Sequence, residues 1–345
     1  MKINNNKGEI MNKFNKVGIT ALAGSLAAFS AQAVEMSVAG SAKITYQNGD
    51  STEVTGNPMG MNTSLAFSGS GEVNGYDTSL TVVAADQLGG MSSAAITVDL
   101  GDMGKLSFDQ GTGIGGLSTI DDKTPTAAEE IWDGLDAVTG TKDGKVGMGN
   151  AGAFVYSNSY SGINMTSQLA KGNSASSTDD AVSGGSGGTS LDIALTTDGA
   201  MLGLEGVAMG FGYGQIANGK MTGAGNDDHD EHSTVFLNYS MGMITAGAQY
   251  SKIDNGGLTS TDEVAEAWGI SANVNDSLSI SYGEREIEYD KYTNSADVRE
   301  DIDGYAIAYT MGSAKITYQS NETKNNGGTK GVSDENAQIA LSLSF

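Results

Sequence analysis

Three stretches of the sequence carry residues able to act on a solute or an ion. The first gathers six carboxylates, Asp121, Asp122, Glu129, Glu130, Asp133 and Asp136. Among them Thr126-Ala127-Ala128-Glu129 has the form of a capping box and Gly140 that of a stop, so the spacing predicts a short helix. At about 100° per residue, Glu129, Glu130, Asp133 and Asp136 share one arc, and Ala128, Ile131, Trp132, Leu135 and Val138 the opposite one. Such a helix has a dry side and an acidic side. The second stretch, Asp227-Asp228-His229-Asp230-Glu231-His232, offers oxygen and imidazole ligands for a divalent cation such as Ca2+; the alternative is a solvated acidic loop. It holds both histidines of the chain. A hydrolase would need a nucleophile beside one of them, and no His, Ser and Asp set suggests itself, so no catalytic residue is assigned. The third stretch, Gly111-Thr112-Gly113-Ile114-Gly115-Gly116, matches G-x-G-x-x-G. The chain beyond it runs to Thr124-Pro125 rather than directly into a helix, and no βαβ unit surrounds it, which makes it a loop entry rather than a dinucleotide site.

Side chains act on solutes only where rigid elements hold them, and here the elements read as strands. Met36, Val38, Ala42, Ile44 and Tyr46 alternate with Ser37, Ala39, Ser41, Lys43 and Thr45. Leu278, Ile280 and Tyr282 alternate with serines, and Tyr305, Ile307 and Tyr309 with Ala306, Ala308 and Thr310. Period-two segments of this kind fall near 36–46, 61–69, 76–84, 94–100, 105–110, 152–160, 162–170, 190–197, 204–216, 232–241, 243–253, 266–275, 277–288, 303–311, 313–322 and 336–345. That makes an even sixteen. The links at Gly101–Gly104, Ser159–Gly162, Gly242, Asn275-Asp276 and Gly312 are tight, and the links between them are long and polar. Alternating link length predicts an all-β, antiparallel up-and-down transmembrane barrel with turns at one mouth and loops at the other, not a Greek-key sandwich.

Composition closes off other classes. The 345 residues include 18 basic against 42 acidic side chains, a formal charge of −24, and no cysteine. Nucleic acid is not expected as a partner, because phosphate neutralisation needs clustered Lys and Arg. Disulfide frameworks and thiolate metal clusters are excluded outright. Lys2, Lys7, Lys13 and Lys16, the apolar stretch from Val17 to Phe29, and Ala31-Gln32-Ala33 have the form of an export signal. The expectation is a signal peptide over 1–33, with Met11 as an alternative start, and a single barrel domain over 34–345.

Two further motifs bear on the register. Gly40-Ser41-Ala42-Lys43-Ile44-Thr45-Tyr46-Gln47 recurs as Gly312-Ser313-Ala314-Lys315-Ile316-Thr317-Tyr318-Gln319, in both cases on an odd-numbered strand. At the chain end Ile339, Leu341, Leu343 and Phe345 alternate with Gln338, Ala340, Ser342 and Ser344. A terminal aromatic closing an alternating strand resembles the assembly signal of Gram-negative outer-membrane barrels. Together with the export signal and the sixteen strands, nearly the whole mature chain resembles the general porin family of Gram-negative bacteria.

That resemblance implies a cell outer-membrane location and contact with lipid and lipopolysaccharide. It further implies recognition by the barrel-assembly machinery, a homotrimer, and passive diffusion of small hydrophilic solutes. It places the loop after the fifth strand inside the barrel, where Asp121, Asp122, Glu129, Glu130, Asp133 and Asp136 would form the acidic side of a constriction. A basic cluster on the wall would face them, and here Lys43, Lys315 and Arg285 are its members. The chain departs from the family in having only two arginines, Arg285 and Arg299, so the excess of carboxylates predicts mild cation selectivity. No cofactor is expected. A substrate-specific channel, for sugars for example, and a secreted or surface structural β-protein are the alternatives.

Overall fold

The computed structural model describes residues 35–49, 56–85, 90–135, 144–148, 151–171, 188–217, 229–256, 261–291 and 297–345; the expected export segment lies outside them. The strands are β1 (Glu35–Gly49), β2 (Met59–Val73), β3 (Tyr76–Ala85), β4 (Gly90–Asp99), β5 (Lys105–Gln110), β6 (Ala151–Tyr160), β7 (Ile163–Lys171), β8 (Thr189–Thr197), β9 (Val207–Ala217), β10 (His229–Met241), β11 (Ile244–Asp254), β12 (Thr261–Asn273), β13 (Leu278–Lys291), β14 (Val298–Met311), β15 (Ala314–Lys324) and β16 (Ser333–Ser344). Each pairs antiparallel with its chain neighbours, and β16 pairs with β1, so the sheet is a closed barrel. Closure leaves no edge strand, the condition under which strands can cross lipid. No helix among the described residues is long and apolar enough to cross a membrane. Asn74 and Gly75, with φ of 53° and 87°, form the tight β2–β3 turn, as left-handed residues do in two-residue hairpins.

The octapeptide repeat flanks β16 on both sides and meets it in one register. Lys43 and Lys315 both face Ser342, Ile44 and Ile316 both face Leu341, Tyr46 and Tyr318 both face Ile339, and Gln47 and Gln319 both face Gln338. One sequence thus answers the same neighbour from either edge. The end of the chain completes the seam: Gly40 N–H donates to the Phe345 carbonyl at 2.7 Å, and Phe345 N–H returns to the Gly40 carbonyl at 2.9 Å. Gly40 has no side chain, and the Phe345 ring occupies the space that a Cβ there would fill.

Strand alternation divides the barrel into two surfaces. Ile44, Phe67, Leu80, Ile96, Phe108, Leu237, Tyr250, Trp268, Tyr305 and Ile339 point outward and are exposed. Outward aromatics meet across strands, with ring centroids 5.2 Å apart for Phe108–Phe154, 5.7 Å for Trp268–Tyr282 and 6.0 Å for Tyr305–Tyr318. Toward the long-loop mouth the outward positions become ionic: Arg299 pairs with Glu286 and, at 2.7 Å, with Asp301. β13 has 14 residues, which at roughly 3.3 Å each makes it longer than the ~25 Å apolar band of such barrels, so its ionic end clears the lipid. The inward face carries Gln249, Ser251, Thr317, Gln319, Asn321 and Thr323, all buried.

One element differs from expectation. The predicted helix after Thr126 is not formed in the described residues: Ala127 to Leu135 is a chain of bends and turns with isolated bonds from Asp133 N to Glu130 O (3.0 Å) and Leu135 N to Trp132 O (3.2 Å). The capping box does not close. The Thr126 hydroxyl donates to the Glu129 carbonyl at 2.9 Å, and the Glu129 carboxylate turns to Lys43. Contacts to the barrel wall offset the intrahelical bonds forgone.

Candidate functional site: the barrel interior and its inserted loop

Between β5 and β6 the described residues 111–135 and 144–148 lie against the inner wall of the barrel. The entry to this loop is fixed by the fully buried carboxylate of Asp109 on β5, which accepts the N–H of Thr112 at 2.9 Å, the N–H of Gly113 at 3.1 Å and the Thr112 hydroxyl. Gly111, Gly113 and Gly116 are all left-handed, so the G-x-G-x-x-G run is a reversal of the chain held by a strand carboxylate. Asp192 of β8 then accepts Leu117 N–H at 2.7 Å, and Thr166 of β7 accepts Gly116 N–H at 3.1 Å. A single turn over Leu117–Ile120 buries both apolar ends against Ala194, Phe236 and Ile253, with Val146 and Met148 of the returning chain. Two inward glycines of β9 make this seat: a Cβ at Gly212 would collide with Leu117 and lie 2.9 Å from Ile120, and one at Gly214 would lie 2.5 Å from Met148.

From Lys123 onward the loop crosses the wall strand by strand. Gln249 of β11 accepts Lys123 N–H at 2.6 Å and donates to the carbonyls of Ile120 and Asp121, each at 3.0 Å. Ala127 N–H reaches Ser281 of β13 at 2.9 Å, and Glu129 N–H reaches Gln319 of β15 at 3.3 Å. Ile131, Trp132 and Leu135 pack on Ala265, Ile287, Tyr289 and Ile302, while Ala128 packs on Ala127, Ala306 and Ala308. Ala128, Ile131, Trp132 and Leu135 of the expected apolar arc therefore meet the wall without a helix to display them, and Val138 and Gly140 lie outside the described residues.

The acidic residues of the loop take different positions. Glu129 and Glu130 are exposed; Asp121 and Asp122 are half-buried on the same loop. Burial, above all, pushes the Asp121 carboxyl above its ordinary range, against the Asp122 N–H and the charges of Lys145 and Lys123. Asp133 is turned to the wall: it accepts Gln319 Nε2 at 2.9 Å, and its carbonyl accepts Asn321 Nδ2 at 2.8 Å. Lys43 does not stand across the interior from the acidic loop but pairs with Glu129 directly at 3.0 Å. Lys315 lies inward and half-buried at the same level on β15.

Arg285 is not a lumen-facing wall residue. It is 3% exposed, with its guanidinium 4.2 Å from the Trp132 ring centre, roofed by the loop. Asp136 lies outside the described residues, as do Asp227 and Asp228. The rest of the His-Asp run is the start of β10, where alternation separates its members: Glu231 turns outward to Gln215, His232 turns inward and accepts Gly147 N–H at 3.2 Å, and Asp230 accepts Gly256 N–H at 2.9 Å. Strand alternation thus turns neighbouring members of the described part of the run to opposite faces, and no group of three or more potential metal ligands occurs among the described residues. Ile339, Leu343 and Phe345 are outward and exposed beside the seam, with Leu341 half-buried between them.

Two features of the interior were not expected from the sequence. Across from the loop, the inner faces of β2 to β5 carry hydroxyls, linked as Ser68–Thr81 at 3.0 Å and Thr97–Ser107 at 2.8 Å. At the short-turn mouth Glu35, Glu72, Asp77 and Asp99 line a recess of about 520 Å³ with Lys105, which pairs with Asp99 at 3.2 Å. Both were legible as inward positions of their strands but belong to no recognisable motif.

No family model matches the chain, and no curated protein matches it in sequence. Solved structures do. The chain is similar to OmpT, an outer membrane protein of Vibrio cholerae, with a TM-score of 0.64 at 13% identity over 92% of this chain and 99% of that one. It is similar to an anion-selective porin from Comamonas acidovorans, with a TM-score of 0.58 at 13% identity over 91% and 100%. It is similar also to Salmonella typhi OmpF solved with daunomycin, with a TM-score of 0.60 at 13% identity over 90% and 98%. At this identity the likeness is one of fold. Strand number, closure and the apolar outer surface make the chain a porin-like β-barrel of the outer-membrane type.

Proposed function

We propose that the protein is an open, non-enzymatic channel of a Gram-negative outer membrane, through which small hydrophilic solutes and ions diffuse with a mild preference for cations. One observation carries the reading. The loop is laid along the wall of a closed barrel by contacts to β7, β8, β10, β11, β13 and β15, so it narrows the interior, and it carries Glu129 and Glu130 as exposed carboxylates within a barrel whose β2 to β5 wall bears hydroxyls. Carboxylates facing neutral hydroxyls in a low-dielectric passage lower the energy of a cation and raise that of an anion. The Lys43–Glu129 pair cancels part of the basic side. Cation preference therefore falls to Glu130, Asp121 and Asp122, together with the acidic recess at the other mouth.

The outward faces of β1 to β5 present exposed Ile44, Leu80, Ile96 and Phe108, an apolar surface that supports packing of copies there into the homotrimer that the family resemblance implies. No cofactor enters this function. Recording in a planar bilayer tests it: the purified, folded protein gives stepwise increments of conductance, and a folded barrel that inserts and conducts nothing refutes the channel in favour of a structural role.

A further inference from the structure

A row of residues crosses the inner wall at one level, and only the register brings it together. Asn238 on β10 faces Gly247 on β11, Gly247 faces Gly269 on β12, Gly269 faces Gly283 on β13, Gly283 faces Gly304 on β14, and Gly304 faces Asn321 on β15. Four adjacent strands thus lack an inward side chain at the same height, with an asparagine at either end. The loop lies in this trough. Pro125 sits over Gly247 and Gly269, and Ile131 sits over Gly283 and Gly304. The asparagines hold its two ends by the backbone: Asn238 Nδ2 donates to the Lys123 carbonyl at 2.7 Å, and Asn321 Nδ2 to the Asp133 carbonyl at 2.8 Å.

The lengths agree. Five inter-strand steps span roughly 24 Å, and ten extended residues reach at most about 36 Å, so the chain from Lys123 to Asp133 covers the row with slack for its turns.

We propose that this asparagine-bounded glycine row sets the bore of the channel, by fixing how far the loop stands off the wall. The inference rests on the channel reading above and adds to it that Asn238, Gly247, Gly269, Gly283, Gly304 and Asn321 act as positioning residues for solute size. Clearances give the direction of the effect. A Cβ at Gly269 would lie 2.7 Å from the Pro125 carbonyl oxygen, a backbone atom that must move; at Gly283 and Gly304 it would lie 3.3 Å and 3.1 Å from Ile131. Added volume in the trough therefore drives the loop toward the centre of the barrel. No charged residue is replaced, so the variants change the bore without changing the number of charges that line it.

The test compares wild type with Gly269→Ala and Gly283→Val in planar bilayers. Conductance is read together with the exclusion limit for neutral polyethylene glycols of graded size. A control, Gly60→Ala, adds a methyl to the inner wall of β2, where only the Thr45 hydroxyl is near. The expected result is lower conductance and a smaller exclusion limit in both trough variants, with a reversal potential that stays on the same side of zero as wild type and a control that behaves as wild type. Folded trough variants with wild-type conductance and exclusion limit overturn the proposal. So does a control that loses as much as they do. Where a trough variant does not fold, Asn238→Ala with Asn321→Ala removes the two end contacts without adding volume. It is expected to raise open-channel noise and the exclusion limit, and wild-type values for both overturn the proposal. A wild-type protein that does not conduct fails the channel reading itself, an outcome distinct from conducting variants of unchanged bore.

Discussion

At the scale of single residues, the charges of the interior act less by opposing one another than by being released or withheld. Lys43 holds Glu129 at 3.0 Å, with both side chains partly open to water, and a pair so exposed contributes at most about 1 kcal/mol to stability. Its weight lies in the field it removes. Lys43→Gln is expected to free the Glu129 charge and shift the reversal potential further to the cation side, and Glu129→Gln to shift it back, both with an unchanged unfolding temperature in detergent. Asp121 gives the pH dependence. Burial holds its carboxyl above the usual range, so as pH falls it is neutralised before ordinary carboxylates, whose pKa lies at about 4. Cation preference is expected to start declining above that range, and Asp121→Asn to abolish the early part of the decline; a reversal-potential titration in which wild type and variant coincide contradicts this.

At the scale of elements, the inserted loop shows which parts of the structure its sequence encoded. The apolar spacing of Ala128, Ile131, Trp132 and Leu135 identified a face that packs, yet the packing is against wall strands with turns between. A capping box and a 3.6-residue rhythm are local signals, and here Thr126, Glu129 and Asp133 all find partners from other strands. The trough for Pro125 and Ile131 was illegible for the converse reason. Gly247, Gly269, Gly283 and Gly304 have no shared spacing along the chain and meet only through strand register. Arg285 read as a pore residue because alternation put it inside, and no sequence signal showed that Trp132 would cover it. That contact is a cation–π pair at a desolvated site, worth about 2 kcal/mol. Trp132→Ala is expected to lower barrel stability by that order and to expose the loop, read as a lower unfolding temperature together with faster proteolysis between residues 127 and 135. A variant as stable and as resistant as wild type would show that the contact does not hold the loop.

At the scale of the whole molecule, lipid outside and water inside impose one alternation on every strand, which is why sixteen strands and their link parity stood out in the sequence. The repeated octapeptide gained its meaning at this scale too, since only closure of β16 on β1 places both copies against Ser342 in one register. The same closure encloses the acidic loop, the hydroxyl wall and the acidic recess in one barrel, and the central claim is that its interior is an open passage that prefers cations. The reversal potential of the folded protein in a planar bilayer under a KCl gradient measures it most directly. Stepwise conductance with a reversal potential on the cation side is the predicted result, and an open pore whose reversal potential is zero or on the anion side would contradict it.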